Sequence, residues 1–456
     1  MKHIGLLKAI KLTSSYNKLS QEEREKLKKE RLYNLVHYAK NNSPYFKRYY
    51  TNIGDDFKLT DLPVTNKVNM MEHFDDWVTN REVHMSGVKE FMKNPDNIGR
   101  SFMKKYFVYT TSGSTGNPSV VLYDKTAKNI MDAVSILRSY ARKEDMKKFI
   151  KKGGKSAAVY ATGGFYLGVS TVRSKLLKMP WKKKQIMIAS ILDPVEKIVE
   201  QLNAFQPVML GGYPTALELL AEEKKKGNLK ISPMLIMTGG EYLSKELRKS
   251  LTEIFQCYVQ TNYACTEGGM IACECKYEHF HINDDWIIAE PVDKDYNPVP
   301  DGVQADKWLL TNLTNYTQPF IRYEITDRII YHTEECACHN PSPWIEIEGR
   351  TDDILNFEGE NGTVRILPLA LYAILKEIHG ITRFQLILRK KNVIELRLIC
   401  KNGEDRQDSF TAAKDRLIKF MDKRGISHVS VYLSEEEPKV NNKSGKFKHI
   451  YQEKED

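Results

Sequence analysis

The sequence predicts an α/β protein, with a large N-terminal α/β domain of several sheets and a small C-terminal α+β domain. The chain has 456 residues, which is too long for one small core and favours about two or three domains. Between residues 186 and 255, short apolar runs alternate with segments of helical period, which indicates a sheet with right-handed crossovers. After about residue 350, a hairpin and single helices replace this alternation, which indicates the smaller domain.

The first predicted elements are a helix and a pair of strands. Apolar residues between positions 32 and 39 recur at i, i+3, i+4 and i+7, the stripe of an amphipathic helix. Apolar runs at 106–109 and 120–123 predict two strands, which are joined by a turn rich in glycine, serine and threonine.

The alternating segment supplies the central elements. Asp193 and Pro194 are a helix cap and a first-turn proline. Strands are predicted at 186–188, 208–210 and 235–237, and helices at 195–202, 217–221 and 247–255. In the smaller domain, helices are predicted at 366–375 and near 417–421, and strands at 384–388, 393–399 and 429–433.

Composition and charge indicate a globular protein and do not show the pattern typical of nucleic-acid binding. Hydrophobic residues make up 41% of the chain and aromatic residues 10%, enough for sizeable cores. The net charge of +10 lies largely in lysine clusters such as Lys147-Lys148 and Lys182-Lys183-Lys184, without the interleaved arginine and aromatic residues that read bases. We interpret these clusters as solvated faces, and an anionic substrate such as ATP fits the same sign.

We expect a cytoplasmic protein without a membrane span. No apolar run approaches the roughly 18 residues that a membrane helix needs. Lys8 and Lys11 interrupt the N-terminal apolar segment, which favours a short docked helix over a signal peptide, with a membrane-surface helix as the alternative. In the cytoplasm the seven cysteines would be reduced.

The first chemical motif is the turn after the strand at 106–109. Its residues are Thr111, Ser112, Gly113, Ser114, Thr115 and Gly116. Glycines expose backbone N–H groups and hydroxyls add donors, so such a turn can wrap phosphate oxygens. It lacks the Gly-Lys-Ser/Thr ending of a Walker loop. Taken alone, a segment of this composition is more often a mobile surface loop.

The segment at 109–118 resembles the phosphate loop of the acyl-adenylate-forming enzymes, which include acyl-CoA ligases, luciferases and peptide-synthetase adenylation domains. Many members have a lysine directly after the proline, where this chain has Ser119. That departure is similar to the phenylacetate-CoA ligase branch, as is the phrase at 41–45. The phrase at 317–319 is similar to the coenzyme F390 synthetase-like and capsule-cluster adenylate-forming enzymes of that branch.

Two further segments resemble the family's nucleotide-binding motifs. The resemblance implies that Tyr263 stacks on adenine, Thr266 contacts phosphate and Glu267 holds Mg²⁺. A carboxylate suits that hard cation, although a lone Thr-Glu pair is usually a helix cap. Gly240 and Glu241 resemble a segment on the adenine side.

The ribose and hinge motifs follow in the family's order. By resemblance, Asp327 accepts the ribose hydroxyls and Arg350 contacts ribose or phosphate. Asp352 would be the pivot of a mobile C-terminal domain. We therefore predict an N-terminal adenylation domain at 1–351 and a mobile domain at 352–456.

The last motif is a Ser-Gly-Lys sequence that ends at Lys446. By resemblance, Lys446 neutralises the charge that builds on the carboxylate and α-phosphate oxygens, whereas a lone lysine in a basic tail is usually solvated. A preorganised donor of this kind is worth about 10²–10³ in rate.

Cysteines and histidines form a candidate zinc site. Cys273 and Cys275 precede His281, and Cys336, Cys338 and His339 come about sixty residues later. Thiolates and imidazole suit Zn²⁺, and four ligands close a structural site. The spacing common in the branch selects Cys275, His281, Cys336 and Cys338. Thiols without a metal are the alternative.

The resemblance implies ATP-dependent activation of an aromatic or other small carboxylic acid to acyl-AMP, with pyrophosphate release and transfer to coenzyme A. The implied cofactors are ATP, Mg²⁺, coenzyme A and Zn²⁺. Residues 160–167 and 211–213 are the predicted acyl pocket, and ordinary core aromatics are the alternative. An amine, an alcohol or a carrier protein as acceptor remains open, as does a homodimer, and a nucleic-acid-binding protein is the remote alternative.

Overall fold

The computed structural model describes residues 3–111, 119–350, 355–360, 362–366, 368–376, 378–401, 403–439 and 447–453. The chain divides into two compact units, Met1–Glu348 and Gly349–Asp456. The predicted boundary between residues 351 and 352 lies outside the described residues and stays a prediction. No helix of the described ranges is both long enough and apolar enough to cross a membrane.

The N-terminal unit mixes helices and strands throughout. Its α-helices are α1 Leu6–Tyr16, α2 Gln21–Asn42, α3 Pro44–Tyr49, α4 Lys67–Glu72, α5 Phe74–Trp77, α6 Met85–Lys93, α7 Lys125–Arg138, α8 Lys143–Lys151, α9 Leu167–Lys178, α10 Val195–Phe205, α11 Pro214–Lys225 and α12 Lys245–Phe255. Its strands are β1 Ser101–Phe102, β2 Tyr106–Thr110, β3 Val120–Tyr123, β4 Ser156–Tyr160, β5 Ile186–Ser190, β6 Met209–Gly212, β7 Leu235–Thr238, β8 Tyr258–Cys265, β9 Gly269–Glu274, β10 Phe280–Ile282, β11 Ile287–Val292, β12 Lys307–Asn312, β13 Tyr323–Ile325, β14 Asp327–His332 and β15 Trp344–Arg350.

Helix α2 begins at a capping box and buries the predicted stripe. The Ser20 hydroxyl accepts a hydrogen bond from the Glu23 N–H, and the Ser20 N–H donates to the Glu23 carboxylate. The buried residues of the helix are Leu32, Leu35, Val36 and Ala39. The sequence pattern therefore identified both the helix and its inward face.

The largest sheet has the strand order β14-β15-β10-β9-β8-β7-β6-β4-β5. Strands β5, β4, β6, β7 and β8 pair in parallel, and the chain then turns back antiparallel through β9 and β10. Apolar faces of α10, α11 and α12 pack into one core with the parallel strands. The predicted α/β class is thus confirmed, and the change of strand direction falls at the β8–β9 turn.

Two smaller antiparallel sheets complete the unit, with the orders β1-β2-β3 and β11-β12-β13. A single hydrophobic core joins residues of both sheets to α2 and to the β9–β10 segment. This shared core places β3 and the chain around β12 and β13 on the same body as the β8–β9 turn.

The C-terminal unit has the predicted α+β character. It contains β16 Leu355–Gly359, β17 Gly362–Ile366, α13 Pro368–Lys376, β18 Ile381–Leu388, β19 Val393–Cys400, α14 Arg406–Asp422, β20 Ser430–Leu433 and β21 Ile450–Gln452. Strands β16 and β17 form a hairpin, and a second sheet has the order β20-β19-β18-β21. The β18–β19 hairpin turns at 389–392, as the sequence predicted.

Candidate active site

Strands β2 and β3 carry the two ends of the predicted phosphate loop. Thr110 pairs with Val120 in the antiparallel register. Beyond that pair, the Thr111 N–H donates to the Ser119 carbonyl at 3.0 Å, and the Ser119 N–H donates to the Thr111 hydroxyl at 2.8 Å. Thr111 and Ser119 therefore close the base of the loop. The predicted phosphate ligands from Ser112 to Gly116 lie outside the described residues.

Thr266 and Glu267 occupy the turn between β8 and β9. The Glu267 side chain is buried, with 7% of the residue exposed. The Gly268 N–H donates to the Cys265 thiol at 3.1 Å, which tightens the turn. Gly269 follows with a φ of +66°, the left-handed region that glycine enters readily. The turn thus projects a buried carboxylate from the point where the strand direction changes.

Tyr263 and Asp327 are in direct contact. The Tyr263 hydroxyl donates a hydrogen bond to the Asp327 carboxylate. The pKa of Tyr263 is well above its usual value, because burial and then the negative charge of Asp327 disfavour the phenolate. The Tyr263 ring lies 6.2 Å from the Trp308 ring. The two residues predicted for adenine and ribose therefore come together, although sequence analysis did not predict their hydrogen bond.

Tyr323, a residue that sequence analysis passed over, lies close to Glu267. It is the first residue of β13 and is buried. Burial, followed by the negative charge of Glu267, raises the pKa of Tyr323 well above its usual value. The tyrosine follows an arginine in the ribose motif, and that adjacency was the only sequence signal for it.

Gly240 and Glu241 lie beyond the end of β7. Gly240 has a φ of +81°, again the left-handed region. The Glu241 carboxylate accepts hydrogen bonds from the Thr215 hydroxyl at 2.8 Å and the Thr215 N–H at 3.2 Å. Because Thr215 belongs to the first turn of α11, the carboxylate also faces the positive end of that helix.

The predicted acyl pocket forms an aromatic cluster. The rings of Tyr160 and Tyr213 lie 5.4 Å apart. A Cβ on Gly164 would lie 2.9 Å from the Tyr166 ring, so that ring packs against bare backbone. The Phe165 carbonyl accepts a hydrogen bond from the Thr110 N–H at 2.9 Å. This bond links the cluster to the strand that leads into the phosphate loop.

The predicted zinc ligands converge. The potential ligand atoms of Cys275, His281, Cys336 and Cys338 all lie within 4.8 Å of one another. The sulfurs of Cys275 and Cys336 are 3.9 Å apart. Zinc–sulfur bonds of about 2.3 Å in a tetrahedron require sulfurs about 3.8 Å apart, so this spacing fits. The other candidates diverge, since Cys273 packs in an apolar core and His339 is exposed beside Glu335.

Hydrogen bonds around Cys275, His281 and Cys338 are also those expected at a metal site. The Nδ1 atom of His281 lies 2.9 Å from the Ser342 carbonyl, which leaves Nε2 facing the Cys338 sulfur at 3.1 Å. Backbone N–H groups of Tyr277 and Asn340 point at the sulfurs of Cys275 and Cys338. N–H donors of this kind form charge-assisted hydrogen bonds with a metal-bound thiolate.

A stacked trio of rings borders this cluster. The Trp344 ring lies 3.8 Å from the His279 ring on one side and 3.8 Å from the His332 ring on the other. The His279 Nδ1 atom is 3.3 Å from the Cys336 sulfur. Sequence analysis missed these three residues, because they come from separate parts of the chain and share no local pattern.

Two further predicted residues, Arg350 and Lys446, belong to the hinge and the C-terminal segment. The side chain of Arg350, the last residue of β15, lies outside the described part of the chain, as does Lys446. Residues 439 and 448, on either side of the Lys446 segment, both bind Gln385. The Gln385 amide donates to the Lys439 carbonyl at 3.1 Å and to the Lys448 carbonyl at 3.0 Å, and this glutamine is buried.

A family profile and two known proteins are similar to this chain. A family profile described as AMP-binding enzyme matches residues 73–294. The chain is 24% identical over 395 residues to phenylacetate-coenzyme A ligase of Thermus thermophilus, covering 83% of this chain and 81% of that protein. It is also 24% identical over 346 residues to Protein CapK of Staphylococcus aureus, covering 72% of this chain and 71% of that protein.

Solved structures share the fold. The structure of 2-hydroxyisobutyryl-CoA ligase in the postadenylation state, with 2-HIB-AMP, matches with a TM-score of 0.69 and 17% identity, covering 95% of this chain and 90% of that chain. The anthranilate CoA ligase AuaEII, with anthranoyl-AMP, matches with a TM-score of 0.51 and 15% identity, covering 75% of this chain and 65% of that chain. The matched profile, the two relatives and the shared fold therefore all make this chain similar to the adenylate-forming AMP-binding enzymes.

Proposed function

We propose that the protein is an AMP-forming acid–CoA ligase, which activates a carboxylic acid with ATP and passes the acyl group to coenzyme A. One observation carries the proposal. The strand that leaves the phosphate loop, β3, places the Tyr123 hydroxyl within 3.3 Å of the Thr266 and Glu267 carbonyls. The strand that follows the loop therefore packs against the turn that carries the Glu267 carboxylate, which supports a site for a triphosphate and its cation.

In the first half-reaction, the substrate carboxylate attacks the α-phosphorus of ATP, and pyrophosphate leaves with the electron pair of the broken P–O bond. We assign the residues from Thr111 to Gly116 to the outer phosphates, with Thr266 beside them. Asp327 and Arg350 hold the ribose, and Tyr263 and the chain at Gly240 face the adenine. Catalysis is positioning and charge stabilisation, so no covalent enzyme intermediate is needed.

Glu267 is the residue that would hold Mg²⁺. A buried carboxylate is the kind of oxygen donor that this hard cation prefers. When bound, the ion neutralises charge on the phosphate oxygens. We assign Lys446 to neutralise the charge that develops between the carboxylate and the α-phosphate. In the second half-reaction, the thiol of coenzyme A attacks the acyl carbonyl and AMP leaves.

We propose a small aromatic or branched acid as the substrate. The tyrosines at 160, 166 and 213 supply flat apolar surface next to the loop strand. A relative is a phenylacetate-coenzyme A ligase, and two similar structures hold anthranoyl-AMP and 2-HIB-AMP. An amine, an alcohol or a carrier protein as acceptor would leave the first half-reaction unchanged.

We also propose that Cys275, His281, Cys336 and Cys338 hold a structural Zn²⁺. The support is their mutual spacing and the donor set of three thiols and one imidazole. The ion would tie β9 and β10 to the segment that precedes β15. All seven cysteines are free thiols, and a reducing cytoplasmic location would keep them available to the metal.

The experiment is ATP–pyrophosphate exchange with a panel of acids that includes phenylacetate, anthranilate and 2-hydroxyisobutyrate. We expect one class of acid to support exchange and coenzyme A to accelerate AMP release with that acid. Exchange without any effect of coenzyme A would redirect the second half-reaction to another acceptor. Absence of exchange across the panel, with folded protein and Mg²⁺ present, would contradict the proposal.

A further inference from the structure

We infer that Tyr123 and Asn312 are positioning residues, which fix the Thr266–Glu267 turn and thereby set how the Glu267 carboxylate meets its metal ion. The inference rests on the proposed function, because it takes Glu267 as the Mg²⁺ ligand. It concerns two side chains that lie outside the family motifs named above and that bind the turn only through its backbone.

Tyr123 binds the turn from β3. Its hydroxyl donates toward the Thr266 carbonyl at 3.2 Å and the Glu267 carbonyl at 3.3 Å, and only 1% of the residue is exposed. Gly269, directly after the turn, would place a Cβ 3.4 Å from this hydroxyl. The hydroxyl therefore sits in close contact with the turn on two sides, and a buried phenol of raised pKa keeps the proton that it donates.

Asn312 binds the same turn from the end of β12. Its amide nitrogen donates to the Glu267 carbonyl at 2.9 Å. Its amide oxygen accepts from the Thr314 hydroxyl at 2.7 Å and the Thr314 N–H at 3.0 Å, which assigns the amide orientation. The residue is fully buried, so all of these bonds are made away from water.

The strand that carries Tyr123 is itself held by side chains. Strand β3 is at the edge of its sheet, so its outer backbone groups need other partners. Gln318 accepts from the Leu122 N–H at 2.7 Å and donates to the Val120 carbonyl at 3.0 Å. Asn315 donates to the Leu122 carbonyl at 2.9 Å. These amides replace a neighbouring strand and prevent β3 from shifting.

This arrangement has a consequence for the metal ion. Mg²⁺ demands near-octahedral oxygen geometry and tolerates little displacement of a ligand. If the bond from Tyr123 is lost, the Glu267 carbonyl still accepts from Asn312 but loses one of its two side-chain donors, and the carboxylate loses part of its preorganisation. We therefore expect weaker binding of the metal–nucleotide complex and slower exchange, with an unchanged KM for the acid.

Tyr123→Phe tests the inference, and Tyr109→Phe is its matched control. Tyr109 is equally buried on the neighbouring strand, and its ring touches the Tyr123 ring at 5.5 Å. In the described chain its hydroxyl makes no hydrogen bond to the turn. Both variants remove one buried hydroxyl, but only Tyr123→Phe removes hydrogen bonds to the turn, so the difference between the two variants measures the effect of those bonds.

The readout that is independent of catalysis is titration of Mn²⁺ with a non-hydrolysable ATP analogue, followed by electron paramagnetic resonance. We expect Tyr123→Phe to raise the apparent Kd about five- to tenfold, as the loss of one hydrogen bond predicts, and Tyr109→Phe to stay within about twofold of the unmodified protein. Asn312→Asp, which replaces the donor by an acceptor, should weaken binding further.

Equal Kd values for Tyr123→Phe and Tyr109→Phe would overturn the inference. If Asn312→Asp fails to fold, the tyrosine pair still decides the question. Failure of the proposed function looks different: pyrophosphate exchange would be absent from the unmodified protein while the two tyrosine variants still differed in metal binding.

Discussion

The Tyr263 hydroxyl donates a hydrogen bond to the Asp327 carboxylate, although 64 residues separate them in the chain. Strand β8 supplies the tyrosine and β14 the aspartate. The bond orients the Asp327 carboxylate, which is proposed to accept the ribose hydroxyls. Its donor is the hydroxyl of Tyr263, whose ring is proposed to stack on adenine. With these proposed roles, the bond would couple adenine recognition to ribose recognition.

Tyr263→Phe tests that coupling. The substitution keeps the ring and removes the bond that orients Asp327, so we expect the KM for ATP to rise about fivefold while the KM for the acid is unchanged. Steady-state pyrophosphate exchange at varied ATP measures both. Tyr263→Ala should raise the KM for ATP further, because the ring is also lost. An equal rise in both KM values would instead indicate a general disturbance of the site.

Zinc removal should destabilise the N-terminal unit. We expect about one Zn²⁺ per chain by mass spectrometry of purified protein, and none in Cys336→Ser, with a lower Tm because the metal links separate strands. Cys400→Ser, a free thiol of the C-terminal unit, is the control and should retain the metal. Two results together would refute the site: the purified unmodified protein contains no zinc, and a chelator leaves its Tm unchanged.

The hydrogen bonds of Glu395 predict how the stability of the C-terminal unit changes in acid. Burial acts to raise the pKa of this carboxyl, but hydrogen bonds from Arg397, Arg389 and Tyr432 outweigh it and lower the pKa to about 2. A folded-state pKa below the unfolded value means that the stabilisation is complete above about pH 5 and is lost as the pH falls toward 2.

We therefore expect the Tm of the C-terminal unit to fall between pH 5 and 3, and this fall to be smaller in Glu395→Gln. Calorimetry of the full chain across that range provides the measurement. Glu437→Gln, an exposed carboxyl nearby in the sequence, serves as the control and should keep the pH dependence of the unmodified protein. Identical curves for both variants would show that Glu395 does not control acid unfolding.

The sequence predicted elements with a clear period, and it missed contacts between distant side chains. The strands at 186–188 and 235–237 were predicted because apolar runs bounded by helical segments leave few alternatives. By contrast, Asn312 and Gln318 lie in or beside an irregular segment, and each binds backbone far away in the chain. Polar side chains of this kind have no local signature, because only the completed fold determines their partners.

The choice among the candidate zinc ligands also depended on information that the sequence pattern does not contain. Spacing alone left Cys273 and His339 as candidates, and the resemblance was needed to choose among six residues. The fold separates them because Cys273 lies within β9 and packs into an apolar core, whereas Cys275 follows the last residue of that strand. Burial and the point at which the strand ends, which spacing does not report, decide between these two cysteines.

The final prediction concerns the two ends of the segment that contains Lys446. Gln385 donates to the carbonyls of Lys439 and Lys448, so it holds both ends at one buried amide. Gln385→Met keeps the side-chain length and removes these bonds. If Lys446 serves the formation of acyl-AMP, this variant should slow pyrophosphate exchange about tenfold, in the direction of the roughly 10²–10³ loss expected for Lys446→Ala.

Transfer of the acyl group from preformed acyl-AMP to coenzyme A should change little in either variant, because Lys446 is assigned to the first half-reaction alone. Gln407→Met, at an exposed glutamine of α14, is the control for substitution of glutamine in the same unit. Equal losses in both half-reactions for Gln385→Met would mean that the glutamine supports the fold of the C-terminal unit and not the placement of the lysine. A selective loss would link one buried amide to the chemistry of a residue several positions away.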